Sequence, residues 1–392
     1  MERAVRGMKH RLLTGKRLHI AGSSTDNVDP EKLKYAHSLV KQIAETTLSI
    51  GGGLVVTIGS EPLLNNKEKL PKIFDWTLLE ALDEFQDSSN LEWPVAQGAP
   101  VVAVGFQKSL GKIPPNRQSL WKRVTDGCKL DLRIIPREVS VGGVLRGEQS
   151  RFGDILVTLG GGPGTYHLKE LYQTNRKPII PLDLSLDKKK SLASEVLSSK
   201  AYVNPKEFFN YKPSRNAITA YSRLSLKNSS RSVNEFEQNF FDFLFHLPKP
   251  CAFYVRLLNE KMPEFNDVES FFRDVVDRIV TDSGYERFEM GTDTSEEAFL
   301  NVELFKKLHF SSLVIVDLTG VRPNCCLELG YVLALGKRII LTAKEGTNLP
   351  WDVETINCHF WLPNEKKEDR TKKLKAFMEK NMIRGPLKNT FG

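Results

Sequence analysis

The densest set of reactive side chains in this sequence lies between residues 317 and 328. Asp317 and Thr319 follow the apolar run Leu313-Val314-Ile315-Val316, Asn324 follows Pro323, and Glu328 comes four residues after Asn324. If the run is a strand and Pro323 opens a helix, Asn324 and Glu328 share a helix face beside the strand's carboxyl end. A carboxylate held there suits two tasks. It grips ribose hydroxyls, or it stabilises the positive charge that develops at an anomeric carbon, because glycosidic cleavage passes through an oxocarbenium-like transition state. The plainer alternative is an acid that complements a helix dipole. Flanking Leu327 and Leu329, followed by Gly330, argue for the chemical role. Adjacent Cys325 and Cys326 read as helix-packing residues, since no histidine stands at motif spacing to activate a thiol.

Three glycine turns form a second group: Gly22-Ser23-Ser24, Gly51-Gly52-Gly53 and Gly160-Gly161-Gly162-Pro163-Gly164-Thr165. Each is read as lying at the carboxyl end of a strand or the entry to a helix. Glycine lets backbone amides approach phosphate, and a following helix adds its positive end. One such turn is usually only a tight connection; three in one unit predict a nucleotide or sugar-phosphate pocket. Its expected lining is Gly22, Ser23, Ser24, Gly51, Gly52, Gly53, Gly161, Gly162, Gly164 and Thr165, with Arg151 and Arg146 as phosphate partners. His167, beside the last turn, reads as a surface histidine rather than a base.

These residues need strands and helices to hold them. Arg17–Gly22, 54–58, 101–104, 155–159 and 179–182 read as buried-type strands. Asp29-Pro30 caps a helix over 30–46 that carries Leu33, Ala36, Leu39, Val40 and Ile43 at helical spacing, and a second helix spans 72–86. Past 250 the alternation restarts: strands at 252–255, 287–290, 313–318, 338–342 and 357–362, with helices at 267–281, 295–308, 325–335 and 367–381. The pattern predicts an α/β protein with two Rossmann-like open parallel sheets, the second flavodoxin-like. Residues 1–212 form the first domain and 250–392 the second. Between them, 213–249 reads as a polar linker plus a bracket helix at 233–247 whose five phenylalanines pack between the domains.

Composition bounds the classes. The 392 residues are 40% hydrophobic and 27% charged, the balance of a globular chain with a sizeable core. Its 56 basic and 48 acidic residues give +8, but 1–17 and 364–392 carry +5 each, leaving −2 for the body. A basic body would argue for a nucleic-acid groove; basic tails do not. No apolar run approaches the ~20 residues of a membrane span, and 1–17 lacks the apolar core of a secretory signal. Five cysteines without metal spacing predict a reduced, cytoplasmic chain with no metal and no cofactor.

The motif Ala21-Gly22-Ser23-Ser24, with Gly51-Gly52-Gly53 and Gly161-Gly162-Pro163-Gly164-Thr165, resembles the SLOG superfamily over about 15–185. That superfamily includes the "Lonely guy" phosphoribohydrolases, whose enzymatic members read Pro-Gly-Gly-x-Gly-Thr-x-x-Glu. Here Gly160 replaces the proline and Leu168 the glutamate, with Glu170 on another helix face, so the resemblance implies the ligand-sensing branch. The stretch Asp317-x-Thr319…Pro323-Asn324…Glu328-Leu329-Gly330…Ala334-Leu335-Gly336-Lys337 resembles the TIR-like and nucleoside 2-deoxyribosyltransferase-like group over about 250–362. This implies Glu328 as catalytic, Asp317, Thr319 and Asn324 lining the substrate site, and Phe253 and Arg256 approaching base or phosphates. Together the resemblances imply a bacterial antiviral defence effector. A nucleotide-derived activator binds the first unit, the second hydrolyses the N-glycosidic bond of NAD, and the protein works as a homo-oligomer. Two alternatives stand beside it: a nucleosidase or 2-deoxyribosyltransferase, and a non-catalytic nucleotide-binding signalling protein.

Overall fold

The computed structural model describes residues 13, 15–86, 99–127, 130–136, 141–175, 177–186, 192, 215–226, 231–247, 251–283, 285–288 and 300–381. The chain divides into two units, Met1–Pro248 and Lys249–Gly392.

The first unit runs β1 (Arg17–Ser23), α1 (Pro30–Ser49), β2 (Gly53–Ile58), α2 (Asp75–Gln86), β3 (Val101–Phe106), α3 (Gln118–Asp126), β4 (Leu130–Ile135), α4 (Gly142–Phe152), β5 (Ile155–Gly160), α5 (Pro163–Thr174), β6 (Ile179–Leu182), α6 (Arg215–Ser222) and α7 (Val233–Leu244). The Asp29 side chain accepts from Glu31 N at 3.0 Å, and the stripe from Leu33 to Ile43 is buried, as the spacing of α1 requires. The sheet order is β4-β3-β2-β1-β5-β6, and every pairing is parallel. Helices cover both faces, so the central strands are continuous aliphatic runs.

β1 pairs with β5 from Leu18↔Ile155 to Ser23↔Gly160, but with β2 only from Arg17↔Gly53 to His19↔Val55. The chain therefore builds outward from β1 in both directions, and the topological switch point lies at the carboxyl ends of β1 and β5. Beyond His19↔Val55 the backbone amide of Thr57 donates to the Asp75 carboxylate at 2.6 Å. Burial pushes the Asp75 carboxyl up to about 6.

Two expectations are corrected here. Within 213–232 the structure holds helix α6, whose Tyr221 hydroxyl donates to Pro181 O at 2.9 Å. The phenylalanine-rich helix α7 is not a bracket between domains: Phe236, Phe240, Phe241 and Phe243 lie in the same apolar core as Leu39, Val56 and Leu182. Its Glu237 accepts from Thr46 Oγ1 of α1 at 2.5 Å.

The second unit runs β7 (Cys251–Val255), α8, β8 (Glu286–Phe288), α9 (Leu300–Phe310), β9 (Leu313–Asp317), α10 (Pro323–Ala334), β10 (Arg338–Lys344), β11 (Cys358–Trp361) and α11 (Lys367–Asn381). Helix α8 is composite: Phe265–Phe271, a wider π turn at Phe272–Val276, and Asp277–Asp282. Parts of the expected strand at 287–290 and helix at 295–308 fall outside the described residues. The parallel order is β11-β10-β9-β7-β8. Counted within the unit this is 5-4-3-1-2, the flavodoxin-like order, with its switch point between β7 and β9. One face packs Ala252 and Tyr254 under α8 and α11; the other packs Phe253 and Val255 under α9 and α10.

Candidate functional site

In the first unit the switch point brings two of the three glycine turns side by side. Gly22 has φ +147°, and a Cβ there would stand 1.9 Å from Leu159 O, so glycine is what lets β1 stay paired to β5 as far as Ser23↔Gly160. Gly161, at φ +105°, lies against Thr165, whose Oγ1 would meet a Cβ at 2.3 Å. Gly162 precedes α5 with no side-chain cap, and nothing stands within 4 Å of where its Cβ would be. In the first turn of α5, Pro163 has no N–H, and Thr165 N and Tyr166 N donate to Gly162 O at 2.9 and 3.2 Å, so Gly164 N is the amide at the helix entry that an anion could take.

Arg146 of α4 completes this turn. Its Nη1 lies 3.5 Å from the Cβ position of Gly164, and its Nε donates to His167 Nδ1 at 2.9 Å. His167 is therefore neither a base nor a bystander; it is the acceptor that holds the guanidinium beside the helix entry. The Ser24 hydroxyl, next along from Ser23, is buried and has no hydrogen-bond partner among the described residues. Leu168 sits with Leu156, Tyr172 and Ile179 in the apolar core, while Glu170 is exposed. No carboxylate replaces the missing glutamate on that helix face.

Two parts of the predicted lining lie elsewhere. Gly53 is the first residue of β2 and pairs with Arg17, so Gly51-Gly52-Gly53 is at the amino end of the sheet, opposite the crevice. It is a tight helix-to-strand connection: Gly52 N donates to Thr47 O at 2.8 Å, and Gly53 N to Lys16 O at 2.8 Å. Arg151 is also at that end, because α4 runs antiparallel to the strands. It pairs with Glu148 at 2.8 Å, and its carbonyl accepts from Lys177.

In the second unit most of the predicted substrate residues hold the protein together. Asp317, 1% exposed, accepts from Thr342 Oγ1 at 2.7 Å, Trp361 Nε1 at 3.0 Å and Thr319 N at 3.1 Å. It ties β9 to β10 and β11. Burial raises its carboxyl above the ordinary range, and these donors oppose that. Thr319 is equally buried and accepts from Lys344 N at 2.9 Å. Phe253 is a core residue of β7. Arg256 pairs with Glu269 and lies 5.2 Å from the Phe272 ring. Asp317, Thr319 and Phe253 are thus buried and engaged within the unit, and Arg256 is partly buried in its pair with Glu269.

Glu328 behaves differently. It is half-buried on the second turn of α10, no described residue donates a hydrogen bond to it, and burial alone pushes its carboxyl up to about 7. Asn324, one turn earlier, is exposed. The helix rests through Cys325, Leu329 and Val332 on the face that carries Phe253 and Val255, so it covers the β7–β9 switch point. Burial holds the Cys325 thiol up near 12, in keeping with a packing role. One residue had no signal in the sequence. Glu264, after β7, carries a buried Oε2 without a partner, 3.7 Å from the Cβ position of Gly320 in the β9–α10 turn.

This is a two-unit parallel-sheet α/β protein with a topological switch point in each unit, the first beside the α5 entry and Arg146, the second beside the helix that carries the half-buried Glu328. The chain belongs to the family described as ATP nucleosidase Cap17-like, N-terminal, whose family model matches residues 13–244, more than half of the sequence. A curated relative from Escherichia coli (strain KTE188), described as ATP nucleosidase Cap17, is 27% identical over 168 residues, 43% of this chain and 32% of the relative. The chain thus spans about a third of the length of the curated relatives it matches. Among solved structures, the Clostridium botulinum CMP N-glycosidase BcmB is 21% identical, over 32% of this chain and 98% of that one, with TM-score 0.22. The Chlamydomonas reinhardtii Moco carrier protein is 14% identical, over 59% and 98%, with TM-score 0.27. Likenesses this low carry no argument about function. Among the described residues no helix is long and apolar enough to cross a membrane.

Proposed function

We propose that this chain is a nucleotide N-glycosidase of bacterial defence, whose second, TIR-like unit cleaves a base–ribose bond and whose first unit binds a nucleotide-derived signal. The observation that carries the reading is the state of Glu328: half-buried, without a hydrogen-bond donor among the described residues and raised by burial, on the helix that follows β9 at a flavodoxin-like switch point. Its ionised form stabilises the oxocarbenium-like ribose as the base departs. The hydroxyl of the attacking water ends on C1′; the proton goes to the departing base, or to solvent when nicotinamide leaves NAD neutral. The TIR-like motif favours NAD as substrate, and the relative's name adds ATP. In the first unit the α5 entry at Gly164, with Arg146 and Ser24, suits a phosphorylated nucleotide, and Leu168 supplies no acid to hydrolyse it. As the TIR-like resemblance implies, signal binding enlarges a homo-oligomer and raises activity together.

The purified protein, incubated with NAD, ATP and deoxynucleotides, with and without cyclic nucleotides, is expected to release free base, read by chromatography, while light scattering follows assembly. Base release lost in Glu328→Gln supports the reading; full release in that variant overturns it. One observation favours a second reading, with the chemistry in the first unit: the family match ends at residue 244, before β7 begins. Base release that survives in Glu328→Gln would select it.

A further inference from the structure

Buried polar atoms of native proteins are nearly always paired, and one that is not marks a place where something else is meant to bind. Among the described residues such side-chain atoms are few, and two are carboxylate oxygens: Oδ1 of Asp277, whose other oxygen pairs with Arg287 at 2.8 Å, and Oε2 of Glu264. An ionised oxygen left unpaired is the costliest kind. Nearby acids have found cations: Glu269 pairs with Arg256, and Asp267 with Lys344 at 2.5 Å. Glu264 has not.

Its position is specific. Glu264 lies in the segment that leaves β7, and its Oε2 looks toward Gly320, in the segment that leaves β9. These two strands flank the switch point, so the carboxylate stands in the crevice where open α/β sheets take their ligands. Gly320 has φ +74° and no side chain, and a Cβ there would stand 3.7 Å from Oε2, so the β9–α10 turn passes directly beside the carboxylate. The residue as a whole remains partly exposed. The same turn leads into α10, which carries Glu328.

We infer that Glu264 is the sugar-recognition residue of the second unit, accepting hydrogen bonds from the vicinal 2′- and 3′-hydroxyls of a ribonucleotide. Two adjacent hydroxyls offer two donors to a carboxylate whose oxygens lack them; a 2′-deoxyribose offers one and leaves a buried oxygen unpaired. A site built to bond a hydroxyl rejects the analogue that lacks it. The inference rests on the glycosidase reading above and narrows its substrate to ribonucleotides over 2′-deoxyribonucleotides. Glu264 is a specificity residue; the bond-breaking role stays with Glu328.

The test compares base release from ATP and dATP, and from NAD, by wild type, Glu264→Gln and Glu264→Asp in the full chain. Wild type is expected to prefer ATP over dATP by roughly 100-fold in kcat/KM. Glu264→Gln should lose most of that preference, chiefly through a higher KM for the ribonucleotide. Glu264→Asp keeps the charge but withdraws it, should fall between, and serves if the glutamine variant folds poorly. An unchanged ATP-to-dATP ratio in both variants, or no preference in wild type, overturns the inference while leaving the glycosidase reading intact. If wild type releases no base from any nucleotide, that reading fails by itself. Calorimetric titration of wild type and Glu264→Gln with ATP and dATP then decides the inference: a 2′-hydroxyl-dependent binding event present only in wild type sustains it, and matching isotherms refute it.

Discussion

A carboxyl raised by burial leaves two separable signatures, one in activity and one in stability, and Glu328 should show both. If its ionised form is the working one, base release should climb as pH rises through about 7, the value at which Glu328 titrates. Glu328→Gln should abolish turnover at every pH. The stability sign runs the other way. Because the folded-state value lies above the unfolded one, the folded chain keeps a proton that the unfolded chain has already released, so stability falls as pH rises from about 4 to 7. Glu328→Gln removes that penalty. The variant should match wild type in thermal denaturation at roughly pH 4 and exceed it by about 1–3 kcal/mol at roughly pH 8. Leu168 is the counterpart in the first unit. Leu168→Glu copies the enzymatic motif of the superfamily, yet it places a charge among Leu156, Tyr172 and Ile179. It should destabilise the fold by at least about 3 kcal/mol and add no base release beyond that of wild type, as denaturant titration and chromatography would show.

At the scale of elements, the two glycine-rich segments that looked alike in sequence have opposite jobs, and substitution should separate them. Gly162→Arg enters open space at the α5 entry; it should abolish binding of a phosphorylated nucleotide with little change in melting temperature. Gly52→Ala would bring a Cβ to 2.7 Å from Thr47 Cγ2 and 2.8 Å from Thr47 O; it should cost about 1–3 kcal/mol and leave the affinity of the folded protein unchanged. Likewise Arg146→Ala should weaken nucleotide binding roughly tenfold, and Arg151→Ala hardly at all. The difference could not be read from the chain, because a glycine triplet looks the same before a strand as after one; only the register Arg17↔Gly53 places it. The central strands were legible as aliphatic runs, and α1 by its cap and stripe. Edge strand β4 was not: Asp131 and Arg133 break its apolar character, and they do so by pairing at 2.7 Å along the strand. Asp317 was legible as an important acid, but its importance is to the sheet. Sequence spacing locates a carboxylate and says nothing of who donates to it.

At the scale of the whole molecule, α7 decides what a mutation between the two sequence halves will do. Since Phe240 is fully buried in the first unit's core, Phe240→Ala should act as a core truncation, costing about 3–5 kcal/mol and lowering the melting temperature. A helix serving only as a relay would instead lose ligand response at full stability, and calorimetric melting alongside nucleotide titration tells the two apart.

The pairing of β1 with β5 also constrains how this chain comes into being. Among the described strands β1 comes first, yet its longest partner begins at Ile155, so the middle of the sheet stays open while well over a hundred residues are synthesised. Until then the edge of β1 that will meet β5 stays bare, the kind of surface prone to pair with other nascent chains. Folding of the first unit is therefore a late, non-local event, with the slow kinetics such topologies impose. A ribosome pausing before Gly160 would hold an unfinished, sticky half-sheet, and chaperone demand should peak there rather than at the junction of the two units.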